Sequence, residues 1–514
     1  MPTLLRKDSR ILKKLKIIVL RKPCRLVYNK HGSRSIASAG NRTTGSGTEV
    51  PGLFYGSGPK SPRFEEGNPL SANSREDIVR LVEENDVSFI RLQFTDIGGT
   101  LKNVAITKSQ LHKALDNECV FDGSSLDGFT REAESDMCLE PDRDTFTMLP
   151  WRPTHSGVAR LICDVCSPDG KPFEGDPRRI LKKQVEAAAA LGYDFLVGPE
   201  CEFFLFQTDE NGLPTTTTHD AAGYFDLGTV DMGGDIRREI CLTLESMGFE
   251  VEASHHESSP GQHEIDFRYD SALRTADNIM TFKMAVKSIA KASGAYATFM
   301  PKPVAGSNGS GMHLNFALTK NGKNCFADPD DPRGYGLSAE AYGFLAGILS
   351  HAEALTAVCN QTVNSYKRLV SGDEAPSYVT WSHRSRSPLV RVPSDRGRGA
   401  RLELRSPDPS ANPYLTLACC LAAGLDGIRR GMTPPPAVDV SCHGMTPAER
   451  EALGIRPLPA CLSEAVNALK NDPVVSDVFG SHALNSFLRE KESEWSDYSR
   501  AVTGWEVENY LEAY

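Results

Sequence analysis

The stretch Val251–Phe267 reads VEASHHESSPGQHEIDF. It gathers three glutamates, Glu252, Glu257 and Glu264, and three histidines, His255, His256 and His263. Histidine and glutamate both bind zinc. Carboxylates also hold a hard divalent ion beside a nucleotide. A solvated polar loop has the same composition, and a motif stays a hypothesis until its surroundings agree. The choice among the three turns on what other segments bring alongside.

Working outward, PECEFFLF carries Glu200 and Glu202 two residues apart. On a strand that spacing puts both carboxylates on one face. Like charges side by side are costly unless something positive sits between them. A solvent-facing edge strand would tolerate them, but the flanking Phe195–Val197 and Phe203–Leu205 argue for burial and hence for a metal. In RLELRSPDP, Arg401, Glu403 and Arg405 share one face and Leu402 and Leu404 the other. That pattern is a plain salt bridge or a metal ligand between anion-binding arginines, whose planar fork suits carboxylate and phosphate. KPVAGSNGSGMHLNF supplies Gly306, Gly309 and Gly311, which allow positive φ and close approach, and successive N–H groups suited to an anion. It is not a P-loop, and His313 after it, taken alone, reads as structural. Arg368, Arg386 and Arg391 flank Glu374 within apolar sequence, which favours a wall over a solvated loop.

The chain has 514 residues, enough for more than one domain. Hydrophobic residues make up 40% and charged residues 24%, ordinary for a globular protein. A net charge of −10 argues against nucleic-acid binding. Thirteen cysteines are scattered, and Cys163 and Cys166 form a lone CxxC without a second pair, so they read as strand residues. Free thiols in a reducing, cytoplasmic compartment are expected. No apolar run approaches the roughly 18 residues that span a bilayer.

Residues 1–70 differ from the rest. Met1–Arg42 is basic with one acid, Asp8, and a Gly/Ser/Thr/Pro-rich piece follows, so disorder is expected. A transit peptide, a basic surface-binding tail and upstream sequence read from too early a start are the three readings; the third is preferred. SANSREDIVRLVEEND reads as a helix capped by Ser74. VSFIRLQFTDIGGTLKNVAI reads as a hairpin about Gly98-Gly99, and TFTMLPW and GVARLICDV as strands. This makes a small α+β domain over 71–175. From 176 to 514 longer helices alternate with strands, among them RRILKKQVEAAAALG, IRREICLTLESMG, ALRTADNIMTFKMAVKSIAKASG and AEAYGFLAGILSHAEALTAVC.

FDGSSLDGF, GPECEFFLF, VEASHHESSPGQHE, KPVAGSNGSGMHLN, NSYKRLVSGDEAP and RLELRSPDPSANPYL together resemble type I glutamine synthetase, in its order and spacing, from Ser71 to Tyr514. The resemblance implies an α+β fold, a small N-terminal β-grasp-like domain and a large catalytic α/β domain whose antiparallel sheet forms an active-site funnel. It also implies ligation of ammonia to the side-chain carboxylate of glutamate through γ-glutamyl phosphate, at the expense of ATP. Family members begin just before the Ser74 helix, and Leu70 stands where an alternative initiator is expected.

By motif position the resemblance implies two Mg²⁺ or Mn²⁺ ions per site. Glu202, Glu257 and Glu264 would hold one, and Glu200, His313 and Glu403 the other. His255 and His256 are then supporting residues. Glu252, Asn315, Arg386, Arg391 and Arg401 would meet ATP; Asn308, Gly309, Arg368, Glu374, Arg386 and Arg405 would meet glutamate and its phosphorylated form. Asp122 and Ser125 match the ammonium-site residues of a neighbouring subunit, and Glu374 the flap residue that takes the proton. The resemblance thus implies an intersubunit site, and, since the family forms two stacked six-membered rings, a homododecamer is expected. Arg131 matches an arginine used in glutamine feedback.

Some positions depart from the family pattern. Ala317 replaces a serine near the nucleotide, Asp373 a tyrosine beside the flap glutamate, and His443 the tyrosine that is adenylylated, which argues against that control. Two rivals stay in view: a ligase on the same fold with a polyamine or amino-sugar acceptor, and a catalytically weak nitrogen sensor. Asp122 and Glu374 speak against the first. The six metal positions speak against the second, since unused buried carboxylates destabilise.

Overall fold

The computed structural model describes residues 73–126, 128, 136–152, 156–370 and 374–514. The N-terminal extension, Leu70, Arg131 and Asp373 lie outside the described residues. The ordered chain opens as its sequence dictates. Ser74 accepts from the Asp77 N–H, and the Asp77 carboxylate accepts from the Ser74 N–H at 2.9 Å, a reciprocal cap that starts the helix Arg75–Glu84.

Five strands follow: β1 (Val87–Thr95), β2 (Leu101–Thr107), β3 (Cys119–Asp122), β4 (Asp136–Met148) and β5 (Gly157–Cys166). They form one sheet in the order β2-β1-β5-β4-β3, with β1 and β5 parallel at its centre. The β1–β2 turn is the expected hairpin, with Gly99 at φ +83. Cys163 and Cys166 are buried, free thiols on β5. Ile78, Val82, Leu92, Leu139 and Leu161 fill the space between this sheet and the first helix.

The second sheet has eleven strands among the described residues. They are β6 (Asp194–Thr208), β7 (Pro214–Thr218), β8 (Val251–His256), β9 (Gln262–Phe267), β10 (Asp270–Ser271), β11 (Ala295–Thr298), β12 (Met312–Lys320), β13 (Lys323–Asn324), β14 (Trp381–Ser382), β15 (Val390–Arg391) and β16 (Leu402–Leu404). Its spine runs β14-β15-β16-β12-β6-β9-β8. One face of β6 sends Cys201, Phe203 and Leu205 into the core. The helix Ala272–Ala292 covers that face, burying Ile279, Phe282, Val286 and Ile289 at helical spacing. The Phe203 and Phe282 rings meet edge-on at 6.1 Å. Each fully buried side chain of this size contributes roughly 1.5–3 kcal/mol, so the opposite face of β6 can carry charge without losing the fold.

The apolar run AEAYGFLAGILSHAEALTAVC is not one helix. It breaks at His351 into Ala339–Ser350 and Ala352–Cys359, bent by 74°. The His351 ring reaches the carboxylates of Asp472 at 2.6 Å and Asp426 at 3.2 Å, and those two contacts hold the bend. The first half is buried on nearly every side, as in a core helix. Among the described residues no single helix is long and apolar enough to cross a membrane.

The two sheets are joined through Arg178, in the helix Pro177–Ala190. Its guanidinium bonds Asp142 of β4 and Asp164 of β5 at 2.7 Å each, and Asp277 of the Ala272–Ala292 helix at 2.9 Å. Tyr414 adds a 2.7 Å bond to Asp277. Arginine's fork suits this multiple pairing, and each buried charge has a partner.

Candidate active site

The charged face of β6 explains the glutamates. Register sets Glu202 opposite Glu264 of β9, and Glu200 opposite Asp266. On the other side, His313 of β12 lies opposite Glu200, and Asn315 of β12 opposite Glu403 of β16. Four strands distant in sequence thus share one surface, with carboxylates from β6, β9 and β16 and His313 and Asn315 from β12. Above it opens a cavity of about 450 Å³.

Glu200, Glu202, Glu257, Glu264, His313 and Glu403 all line this cavity. So do Asn308, Gly309, Arg368 and Glu374, and so do Arg386, Arg391 and Arg405. A second cavity, of about 370 Å³, is lined by Glu252, Asn315, Ala317 and Arg401. Glu200 and Asp266 line both. Asp122 and Ser125 line neither cavity of their own chain.

Charge is distributed unevenly across the surface. Glu403 is matched twice, by Arg405 and by Arg391 at 2.6 Å. Burial pushes Glu200 upward, but the bonds from His313 at 3.1 Å and the Asn315 amide at 2.9 Å hold it down to about 2. The neighbouring carboxylates go the other way. Burial, then Glu264 and Glu257 alongside, push Glu202 well above the usual range. Burial, then Glu264 and Glu200, push Asp266 up to about 9, and burial also raises Glu257. Oxygen donors crowded in this way fit hard divalent cations, which stabilise their ionised form.

The closest groups of ligand atoms cut across the two sets that the resemblance implies. Glu200, Glu264 and His313 offer atoms within 4.8 Å of one another, and so do His255, Glu257 and Glu264. Glu264 is common to both. His255 Nε2 lies 3.2 Å from Glu264, the hydrogen-bond distance at which a supporting residue orients a ligand carboxylate. Glu202 sits deeper, where its Oε2 accepts from the Gln262 amide at 2.8 Å and the Gly311 N–H at 2.9 Å.

Two local expectations need correction. Only Gly306 of the glycine segment adopts positive φ. Gly309 and Gly311 are there for closeness: a Cβ on Gly309 would run into the Pro301 carbonyl, and one on Gly311 would lie 2.7 Å from the Arg368 guanidinium and 2.8 Å from His313. Nor is the segment an anion cradle, because the N–H groups of Asn308, Ser310 and Gly311 already donate to Ser259, Pro301 and Glu202. The second correction concerns Arg401, Glu403 and Arg405. The strand between them is only three residues long, so Arg401 turns to Asn315 at 3.1 Å and joins the second cavity, while Arg405 stays in the first.

Sequence reasoning passed over Asp266, Tyr224 and Lys302, which all line the first cavity. Asp266 was within reach, since it follows Glu264 by two residues on a strand, the same rule that paired Glu200 with Glu202. The Tyr224 ring packs edge-on to His255 at 5.5 Å, a contact that no local pattern announces.

Comparison with known proteins agrees with this geometry. Residues 174–510 match the family model described as glutamine synthetase, catalytic domain, and residues 86–168 the glutamine synthetase β-grasp domain. A glutamine synthetase of Clostridium saccharobutylicum is 58% identical over 445 residues, covering 87% of this chain and all of the relative. One of Thermus thermophilus is 53% identical, covering 86% and 99%. Among solved structures, a GmaS–ADP complex superposes with a TM-score of 0.77 at 35% identity, covering 85% of this chain and 99% of the other. The cryo-EM structure of Plasmodium falciparum glutamine synthetase gives 0.75 at 27%, covering 85% and 98%. The chain belongs to the glutamine synthetase family, ligases that make glutamine from glutamate and ammonia.

Proposed function

We propose that the carboxylate-lined cavity takes glutamate and two divalent cations, Mg²⁺ or Mn²⁺, and that the adjoining cavity takes ATP. The observation that carries this reading is that Glu200 and Asp266 line both cavities, so the carboxylate-rich cavity and the one assigned to the nucleotide adjoin. Glu202, Glu257 and Glu264 would hold one cation, and Glu200, His313 and Glu403 the other. Bound there, the cations would neutralise phosphate charge as the phosphoryl group moves.

The remaining roles follow from charge. Glutamate's carboxylate is a poor electrophile until phosphorylated, and phosphoryl transfer is catalysed mainly by positioning and electrostatics. Arg386 and Arg391 supply positive charge at the transfer point. Arg368 and Arg405, with Asn308 and Gly309, orient the amino acid. Glu252, Asn315 and Arg401 line the cavity assigned to the nucleotide. Asn308 donates to the Glu374 carboxylate at 2.7 Å, a link that supports Glu374 as the group closing the site and taking the ammonium proton.

Asp122 ends β3 on the small sheet, away from both cavities of its own chain. That separation supports a site completed by Asp122 and Ser125 of a neighbouring copy in a dodecamer. Leu227 at 81% and Met232 at 62% exposure offer apolar surface for contact between copies. The free cysteines of the described chain support a reducing, cytoplasmic setting.

The test is phosphate release from ATP with Mg²⁺ and glutamate, ammonium against putrescine. Turnover that requires ammonium and yields glutamine is expected. Turnover with putrescine alone would overturn the acceptor assignment and leave the metal assignments standing. Glutamine added in excess tests the feedback expected from Arg131.

A further inference from the structure

Behind the charged face, on the far side of β9, lies a buried group that no role yet accounts for: His219, Asp220, His256 and His263. A metal site is the first idea, since His219, Asp220 and His263 offer ligand atoms within 4.8 Å of one another. Proton placement argues against it. Arg237, which can only donate, lies 2.9 Å from Nδ1 of His263. That nitrogen is the acceptor, so Nε2, the atom facing the group, carries the hydrogen and is no ligand.

The contacts of Asp220 point elsewhere. Its side chain and that of His256 are both fully buried. One oxygen, Oδ1, accepts the Gly261 N–H at 2.7 Å and faces His256 Nε2 at 3.3 Å. The other nitrogen of His256 donates to the Glu257 carbonyl at 2.6 Å. Glu257 and Gly261 are the two ends of the loop between β8 and β9. A single carboxylate oxygen thereby fixes both ends, one directly and one through the imidazole. The same loop is tied forward by Ser259, which accepts the Asn308 N–H at 2.7 Å.

We propose that Asp220 is a positioning residue that sets cation affinity at Glu257 by clamping both ends of the Glu257–Gly261 loop. This rests on the reading above, in which Glu257 holds a divalent cation. Residues that orient a metal ligand typically change metal affinity about 10–100-fold when removed. Asp220→Ala loses both contacts, whereas Asp220→Asn keeps an oxygen for Gly261 and gives up the charge facing His256.

The experiment is calorimetric titration of the full-length protein with Mn²⁺, alongside the Mg²⁺ concentration for half-maximal phosphate release. Asp220→Ala is expected to weaken one of two binding steps about tenfold or more, to leave the other unchanged, and to spare kcat at saturating metal. Asp220→Asn is expected to fall between it and the parent, and it decides the matter alone if the alanine variant does not assemble. Parent-like Mn²⁺ binding in Asp220→Asn and Asp220→Ala, while Glu257→Gln loses one ion, overturns the clamp and leaves the metal reading intact. A fall in kcat with unmoved metal affinity overturns it too. Parent-like binding in Glu257→Gln removes the metal reading and the clamp with it.

Discussion

Two buried clusters of acidic side chains in this chain have opposite electrostatic designs. At the junction of the sheets, Asp142, Asp164 and Asp277 surround Arg178, with Lys182 2.5 Å from Asp164. Burial pushes Asp164 up, yet Arg178 and Lys182 outweigh it and hold the carboxyl below the ordinary value. On the cavity floor, Glu202, Glu257, Glu264 and Asp266 lie against one another, and three of them are pushed up. The junction is balanced within the chain. In the proposed reading, the floor is balanced by the cations it takes. One arrangement favours a fixed shape and the other favours a ligand, although the residue types are the same.

The difference can be broken from either side. Arg178→Met should have the largest effect, because it leaves the buried Asp277 without a cationic partner in contact, leaves the buried Asp164 to Lys182 and unpairs the half-buried Asp142: a loss of about 3–5 kcal/mol of stability, read by denaturant unfolding. If stability is unmoved, the junction is not the matched cluster its distances imply. Glu264→Gln should do the reverse. It relieves repulsion on the floor, so the metal-free protein should melt no lower than the parent, while phosphate release falls on the order of 100-fold or more. Melting well below the parent would show that the floor, too, is balanced within the chain.

Cation binding sharpens the same contrast. At a concentration about 100 times Kd, a bound cation stabilises by roughly 2.7 kcal/mol. Mg²⁺ should therefore raise the melting temperature of the parent and of Arg178→Met, and raise that of Glu264→Gln much less. Chelation should reverse the rise.

The smallest effect is expected at the helix break. His351 lies between Asp426 and Asp472, and although burial opposes its charged form, these partners raise its pKa above the ordinary value. A raised histidine pKa gives stability that is fully present below the unfolded value, about 6.5, and lost as pH rises through the folded value. Melting curves from pH 6 upward should show the parent losing more stability than His351→Gln. Parallel curves would show that the bend does not depend on that charge.

Much of this was readable along the chain, and what was not has physical causes. Period-two spacing exposed Glu200 and Glu202, because a strand long enough to be buried keeps its alternation. Asp266 obeys the same rule, but its strand neighbour Glu264 was read through a motif instead of through the pleat. The break at His351 was invisible because the apolar run is continuous there, and the carboxylates that hold it are 75 and 121 residues away. The amides of Asn308, Ser310 and Gly311 read as available because only the fold shows their acceptors. Arg401 and Arg405 separated because the strand between them stops after three residues.

The wall formed by Glu200 and Asp266 has a thermodynamic consequence. A charge arriving on one side alters the field on the other, so the two cavities form a single linked system. If nucleotide changes the affinity for glutamate by some factor, glutamate must change the affinity for nucleotide by the same factor. Binding constants measured for either alone will then differ from those measured with the other bound, and the ratio of the two measures the coupling across the wall.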